Sequence, residues 1–151
     1  MKSKKIQCTA AVIGGGLGGC LAALELANKG KVCLIEAKDG LLEGTSSVTP
    51  GRMGLGFHYI HKETAIVYLH STIRFVKKYK DSVQQLMIGG DKAENHPLRR
   101  GRYFITEDSL FPKDEILETY AELQKEYRRL CKEDISNQVF GDPDLFFQIL
   151  D

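Results

Sequence analysis

A run of glycines at residues 14–19 constrains this chain more than any other feature. It follows an apolar segment, Ile6–Ile13, and precedes a segment rich in alanine and leucine that ends before Gly30. The next apolar segment, Val32–Ile35, is followed at once by Glu36. A strand, a glycine-rich turn, a helix and a second strand in this order predict a βαβ unit. The nearly continuous apolar character of the first segment is typical of a strand buried on both faces.

Each glycine of the Gly14-x-Gly16-x-x-Gly19 motif has its own predicted structural role. Gly14 permits the tight turn out of the strand, Gly16 lets the backbone approach a pyrophosphate, and Gly19 lets the helix pack closely on the strand. The first turn of the helix, which includes Leu17 and Gly18, presents unpaired N–H groups to an anion. The motif therefore predicts a dinucleotide site.

Glu36 lies seventeen residues after Gly19, at the end of the second predicted strand. A carboxylate at this place accepts hydrogen bonds from ribose hydroxyls and repels a 2′-phosphate, which disfavours NADP. An acid that ends an apolar strand needs a polar partner, and ribose supplies one. The neighbouring Ala37 is included in the predicted site. The βαβ unit by itself leaves NAD and FAD both open.

Length, charge and cysteine usage narrow the class of protein. The 151 residues are enough for one ordinary domain, and the net charge of +1 gives no general attraction to nucleic acid or to an anionic membrane. No apolar run approaches the roughly 20 residues that a membrane-spanning helix needs. The four cysteines have no metal-ligand spacing, and His58 and His61 lack a third nearby ligand, so no metal is predicted. We expect a cytoplasmic protein with reduced cysteines.

The N-terminus suggests one competing interpretation. Basic residues, an apolar stretch and then Cys20 loosely resemble a lipoprotein signal peptide. Gln7 and Thr9 interrupt that stretch, the glycines break it at its centre, and Leu21–Ala27 continues as a helical pattern. These features favour the βαβ unit.

Hydropathy predicts the elements of the remaining chain. A long loop is expected over residues 39–57, after the second strand. Apolar residues at three- and four-residue steps predict amphipathic helices over residues 63–79 and 112–132. Residues 102–106 have the pattern of a short strand between these helices, and residues 141–144 that of a turn.

Residues 8–36 together with 44–60 resemble the N-terminal part of FAD-dependent oxidoreductases of the D-amino-acid oxidase and glycine oxidase superfamily. The glycine motif, Glu36 and the Thr/Ser-rich loop after the second strand carry this resemblance. It implies FAD as the cofactor, and oxidation of a small amine or hydroxy substrate by hydride transfer to the flavin. The implied cofactor-binding residues are Gly14, Gly16, Leu17, Gly18, Gly19, Glu36, Ala37, Thr45, Ser46, Ser47, Arg52, Met53 and Gly54.

Within that set the resemblance assigns different parts of FAD to different residues. It implies that the motif glycines hold the pyrophosphate and that Glu36 holds the adenosine ribose. Residues 45–47 are implied near the pyrophosphate and the ribityl chain, and residues 52–54 beside the isoalloxazine ring. No general base can be named from this sequence, so the catalytic residues stay unknown.

The predicted fold class is α/β, a Rossmann-like βαβ core with part of a second, substrate-side region in an incomplete domain. We place the FAD-binding unit and flavin loop at residues 1–60 and the partial substrate-side domain at 61–151. Two parallel strands and a helix would expose much apolar surface. We therefore expect a fragment, either truncated or completed by a separately encoded C-terminal half. A non-catalytic nucleotide-binding remnant and an NAD-binding dehydrogenase fragment are the alternatives.

Overall fold

The computed structural model describes residues 5–49, 51, 53–83 and 103–149. Contacts within the chain divide it into two compact units, Met1–Arg52 and Met53–Asp151. The domain boundary expected after residue 60 stays a prediction.

The first unit is a strand, a helix and a second strand, with the two strands forming a parallel sheet. The elements are β1 (Ala10–Ile13), α1 (Leu17–Ala27) and β2 (Val32–Ile35). The register pairs Ala10 with Val32 at one end of the sheet. This is the order of elements that the glycine pattern predicts, and the bounds of β2 agree with the sequence.

β1 is shorter than its apolar sequence predicts. The expected strand begins at Ile6, whereas the observed strand begins at Ala10. Only residues 28–31 separate α1 from β2, so the residues before Thr9 have no strand opposite them. Pairing starts where the Thr9 N–H donates to the Lys31 carbonyl oxygen at 2.7 Å. The prediction for the start of β1 is therefore wrong.

The helix α1 covers one face of the two-stranded sheet. A Cβ added to Gly19 of this helix would lie 3.7 Å from a methyl carbon of Val12, whose partner across the sheet is Leu34. The opposite face carries Ile13, which is 86% exposed, and Ile35, which is 52% exposed. Alternate residues of a strand point to opposite faces. The expectation that the first strand is buried on both faces is thus wrong for this structure, because none of the described residues buries that face.

The loop expected over residues 39–57 contains one turn of helix, α2 (Thr45–Val48). It begins after Gly44, whose carbonyl oxygen accepts the N–H of Ser47 at 3.1 Å and the hydroxyl of Ser47 at 2.7 Å. Hydroxyl residues favour such local bonds, so the Thr/Ser-rich sequence forms the turn by itself.

The second unit is built around two packed helices. These are α3 (Lys62–Lys78) and α4 (Lys113–Glu133), each within one residue of its predicted bounds. Every buried hydrophobic side chain among the described residues lies in this unit. They are Phe57, Ala65, Leu69, Ile73, Val76, Tyr120, Leu123, Tyr127 and Cys131.

The short strand expected at residues 102–106 is wrong for its described part. Residues 103–106 form an irregular segment, and Arg102 lies outside the described residues. Tyr103 packs on Phe57 with the ring centroids 5.8 Å apart, and its hydroxyl lies 3.1 Å from Nε2 of His58. Side-chain packing holds this segment, and an apolar pattern in the sequence does not distinguish such packing from a strand.

Short 3-10 turns follow each of the long helices. They lie at Lys80–Ser82, Ile135–Asn137 and Pro143–Leu145, and the last of them overlaps the turn predicted at residues 141–144. Of the helices in the described ranges, none combines the length and the apolar character needed to cross a membrane.

We expect Leu123→Ala to lower the free energy of unfolding of the second unit by about 2–5 kcal/mol, because it removes a fully buried side chain and leaves a cavity. The matched control is Leu110→Ala, which truncates a leucine that is 95% exposed. Urea denaturation followed by tyrosine fluorescence measures this unit alone, since all six tyrosines lie after residue 52. Equal losses in the two variants would contradict the assigned core.

Candidate dinucleotide-binding site

The turn after β1 has a backbone conformation that favours glycine. Gly14 has a φ of +98°, in the left-handed region, while its N–H still donates to the Ile35 carbonyl oxygen at 2.8 Å. Gly16 is the N-cap residue of α1 and supplies no side-chain cap. The chain therefore turns out of the sheet after β1 and starts a helix whose first N–H groups find no side-chain acceptor on the capping residue.

Gly19 lies where the helix touches this turn. A Cβ at this position would be 1.9 Å from the carbonyl oxygen of Gly14, a distance that no real contact allows. A Cβ on the neighbouring Gly18 would meet nothing within 4 Å. Packing therefore demands glycine at position 19 and leaves position 18 free.

Gly16 borders open space at the N-terminus of α1. A Cβ at this position would have one neighbour within 4 Å, the Oγ of Ser46 at 3.5 Å, which is an ordinary contact. Nothing in the fold of the first unit therefore requires a bare backbone here. A pyrophosphate does require it, because phosphate oxygens must come close to the N–H groups. The space at Gly16 thus fits a bound dinucleotide.

The short helix α2 brings a hydroxyl to this N-terminus. The Oγ of Ser46 accepts the Leu17 N–H at 3.1 Å, which leaves the hydroxyl proton available to a further acceptor. Ser47 directs its hydroxyl to the Gly44 carbonyl within its own turn, and Thr45 begins α2. Of these three predicted binding residues, Ser46 is the one for which the structure provides a contact with α1.

Glu36 turns its carboxylate back to the glycine turn. It accepts hydrogen bonds from the N–H of Gly15, from that of Ala37 at 2.7 Å and from that of Lys38 at 2.9 Å. These backbone bonds, that of Lys38 first, lower the pKa of Glu36 below the ordinary value for glutamate. A carboxylate offers about four acceptor positions, so one remains for a ribose hydroxyl.

Two backbone N–H groups that donate at this site are not predicted from the sequence. One is the Lys38 N–H, and the other is Leu42, whose N–H donates to the Gly15 carbonyl oxygen at 2.7 Å. Leu42 has a φ of +64°, which is rare for leucine, and leucine is not among the residues that signal a turn. Gly15 is thereby hydrogen-bonded through both its N–H and its carbonyl oxygen. A leucine at position 42 does not indicate this bond in the sequence.

Of the three residues expected beside the isoalloxazine ring, the structure describes two, and both lie in the second unit. Arg52 lies outside the described residues. Met53 and Gly54 open the second unit, where the carbonyl oxygen of Gly54 accepts the Thr72 hydroxyl at 2.6 Å. Their role at the ring stays a prediction.

The model of the FAD dependent oxidoreductase family, DAO, matches residues 9–142. The matched range includes the βαβ unit, α2 and both long helices of the second unit. The chain therefore belongs to the DAO family of FAD-dependent oxidoreductases, which confirms the resemblance found in residues 8–36 and 44–60. No curated protein and no solved structure matches the sequence.

We expect Gly19→Ala to loosen the first unit, because its Cβ would collide with the Gly14 carbonyl and force α1 away at a cost of about 1–3 kcal/mol. The measurement is the hydrogen-exchange protection of the Gly14 amide, which bonds to β2. Gly18→Ala, its neighbour in the same helix, should keep or raise this protection, since alanine favours helix. Similar exchange in both variants would show that the close contact is not required.

The pKa of Glu36 provides a second test. It is lowered in the folded state, so the carboxylate stabilises the turn above the unfolded-state pKa and this contribution is lost as the pH falls through the folded-state pKa. We expect the NMR shifts of the Gly15 and Lys38 amides to titrate together, with a midpoint below the ordinary glutamate value of about 4.3. The titration should vanish in Glu36→Gln. A midpoint at or above that ordinary value would remove the three amides as partners.

Proposed function

We propose that the first unit binds FAD and that the chain supplies the cofactor-binding part of an enzyme that oxidises a small amine or hydroxy compound. The observation that carries this proposal is the Glu36 carboxylate bonded to the Gly15 amide, beside the N-terminus of α1, where the N-cap residue Gly16 supplies no side-chain acceptor. Ribose and pyrophosphate are the two groups that such an arrangement suits. Membership of the DAO family favours FAD over the nicotinamide alternative.

Each part of the adenosine diphosphate portion has a residue that would hold it. The backbone at Gly14 and Gly16, with the first N–H groups of α1, would hold the pyrophosphate. The Ser46 hydroxyl, already accepting from Leu17, would donate its proton to a phosphate oxygen. Glu36 would accept from the adenosine ribose through its remaining lone pair.

The charge of Glu36 also sets which cofactor the site rejects. An ionised carboxylate held by three amides cannot easily turn away, so a 2′-phosphate on the ribose would meet a fixed like charge. When bound, the flavin supplies the hydride acceptor, and the residues of the first unit orient its adenosine end. Substrate-orienting residues are expected in the second unit.

We propose further that additional polypeptide completes the sheet of the first unit. Parallel sheets occur almost always with both faces covered. Ile13 and Ile35 project from an open face, and no hydrophobic side chain among the described residues of this unit is buried. This supports a separately encoded C-terminal half as a partner. A non-catalytic nucleotide-binding remnant is the second candidate, because the same open face weakens the isolated site.

We expect the purified chain, incubated with excess FAD and desalted, to retain flavin absorption bands near roughly 370 and 450 nm. Gly16→Ala should abolish them, because its Cβ enters the space of the pyrophosphate without disturbing the fold. Gly18→Ala is the matched control and should bind as the parent does. Glu36→Ala should weaken binding by about 1–3 kcal/mol through loss of a ribose acceptor.

The outcomes separate the candidate functions. Equal flavin retention in Gly16→Ala and the parent would contradict the site. Stabilisation of the parent by NAD but not by FAD in a thermal-shift assay would favour the dehydrogenase alternative. A colourless parent that acquires flavin when a C-terminal half is supplied in trans would support the split enzyme.

A further inference from the structure

The peptide that joins Gly15 to Gly16 is hydrogen-bonded on one side only. Its carbonyl oxygen accepts the N–H of Leu42 at 2.7 Å and the thiol of Cys20 at 3.3 Å. The N–H of the same peptide, which belongs to Gly16, has no acceptor among residues 5–49. Because a peptide is planar and trans, its N–H points away from its carbonyl oxygen. The bonds to the carbonyl therefore direct the Gly16 N–H to the opposite side.

The three consecutive glycines, Gly14, Gly15 and Gly16, cannot fix this peptide by themselves. Glycine adopts both signs of φ at similar cost, so a peptide between two glycines meets little resistance to rotation from its own backbone. A reversed peptide would present its carbonyl oxygen where the N–H now lies, and the partial negative charge of that oxygen repels an anion. The orientation of the peptide therefore depends on the groups that hold its carbonyl oxygen.

Leu42 donates to this carbonyl from an uncommon backbone conformation. Its φ of +64° lies in the left-handed region, which residues with a Cβ rarely adopt. Its side chain is 41% exposed, so burial of the leucine does not account for the conformation. Strained backbone persists only where the surrounding structure holds it, and it is concentrated at functional sites. At Leu42 the strained conformation is accompanied by the bond to Gly15.

The segment of residues 38–43, which we call the closed loop, is bonded to itself and packed on Gly15. The Nζ of Lys38 donates to the carbonyl oxygen of Glu43 at 2.6 Å, which joins the first residue of the loop to the last. A methyl carbon of Leu41 lies 2.7 Å from the position that a Cβ on Gly15 would occupy. Gly15 is the one buried residue in the described part of the first unit. The closed loop thus holds its place against the glycine turn without a ligand.

We propose that Leu42 is a positioning residue that holds the Gly15–Gly16 peptide with its N–H directed to the pyrophosphate of the bound dinucleotide. This inference rests on the proposed function, in which the backbone at Gly16 holds that pyrophosphate. Leu42 acts through the peptide and has no contact with the cofactor in this account. Because the peptide is held before binding, a phosphate oxygen meets a fixed donor and the cost of ordering the glycines is not subtracted from the affinity.

The test compares variants of the full chain at position 42. Leu42→Pro removes the N–H and fixes φ at about −65°, so it cannot make the bond. Leu42→Gly is the matched control, because it loses the same side chain but keeps the N–H and accepts a positive φ. Each variant is examined by hydrogen exchange of the Gly14 amide, by ¹⁵N relaxation of the Gly16 amide without ligand, and by titration with ADP, the portion of FAD assigned to the first unit.

Lys38→Met is the second variant, should Leu42→Pro fail to fold. It opens the closed loop and leaves every backbone N–H in place. Lys38→Arg, which keeps a cation and N–H donors at this position, is its matched control. Loss of the lysine charge also affects the binding of an anion, so the relaxation of the Gly16 amide without ligand decides the result for this variant.

We expect the Gly16 amide to be rigid in the parent, with an order parameter of about 0.85. In Leu42→Pro it should become mobile, with an order parameter below about 0.6 or with exchange on the μs–ms timescale. Affinity for ADP should drop roughly tenfold, because one fixed donor to the pyrophosphate is lost. Leu42→Gly should match the parent in both measurements. The Gly14 amide should keep its protection in both variants, which distinguishes release of one peptide from loosening of the first unit.

Two results would overturn the inference. A Gly16 amide that stays rigid in Leu42→Pro, or in Lys38→Met where that variant replaces it, would show that the closed loop does not hold the peptide. A mobile Gly16 amide in Leu42→Pro with unchanged ADP affinity would show that the pyrophosphate does not depend on its orientation. A parent that binds neither ADP nor FAD contradicts the proposed function instead, and the relaxation of Gly16 then still decides whether Leu42 holds the peptide.

Discussion

The first unit depends on one close contact, between the helix α1 and the carbonyl oxygen of Gly14. A side chain at position 19 would end this contact, since even a Cβ would lie 1.9 Å from that oxygen. Because α1 packs this closely, its N-terminus lies at the carboxyl end of β1, next to Glu36, the residue that follows β2. The candidate site is a consequence of this steric constraint, and its donors and acceptors come mainly from the backbone.

The sequence predicts this part well because the constraint acts on the backbone. Glycine at positions 14 and 19 is required by geometry, so the βαβ order and the place of Glu36 follow from the residue types alone. Both long helices are predicted within one residue, since a buried stripe must recur at the helical period. The contribution of Leu42 is not predictable from the sequence, because its main-chain N–H donates to Gly15 and every residue except proline has such a donor.

Other errors arise where tertiary contacts decide the structure. The aromatic pattern at residues 103–106 suggests a strand, but Tyr103 packs on Phe57 and finds His58 as a polar neighbour. The hydroxyls of Thr72 and Thr119 lie in ordinary amphipathic helices, where threonine carries no signal of a bond to a distant loop. Such contacts depend on how two helices and a loop meet, which hydropathy along one segment does not contain.

The open face of the two-stranded sheet affects the aggregation and degradation of newly synthesised protein. Ile13 and Ile35 present apolar surface, and within the described residues each strand has one edge without a partner. Exposed edges and apolar faces are templates for unwanted strand pairing and aggregation. A newly made chain in this state is a target for chaperones and proteases until the face is covered. Under the proposal that a further polypeptide covers this face, the amount of usable protein in a cell depends on how fast that covering occurs.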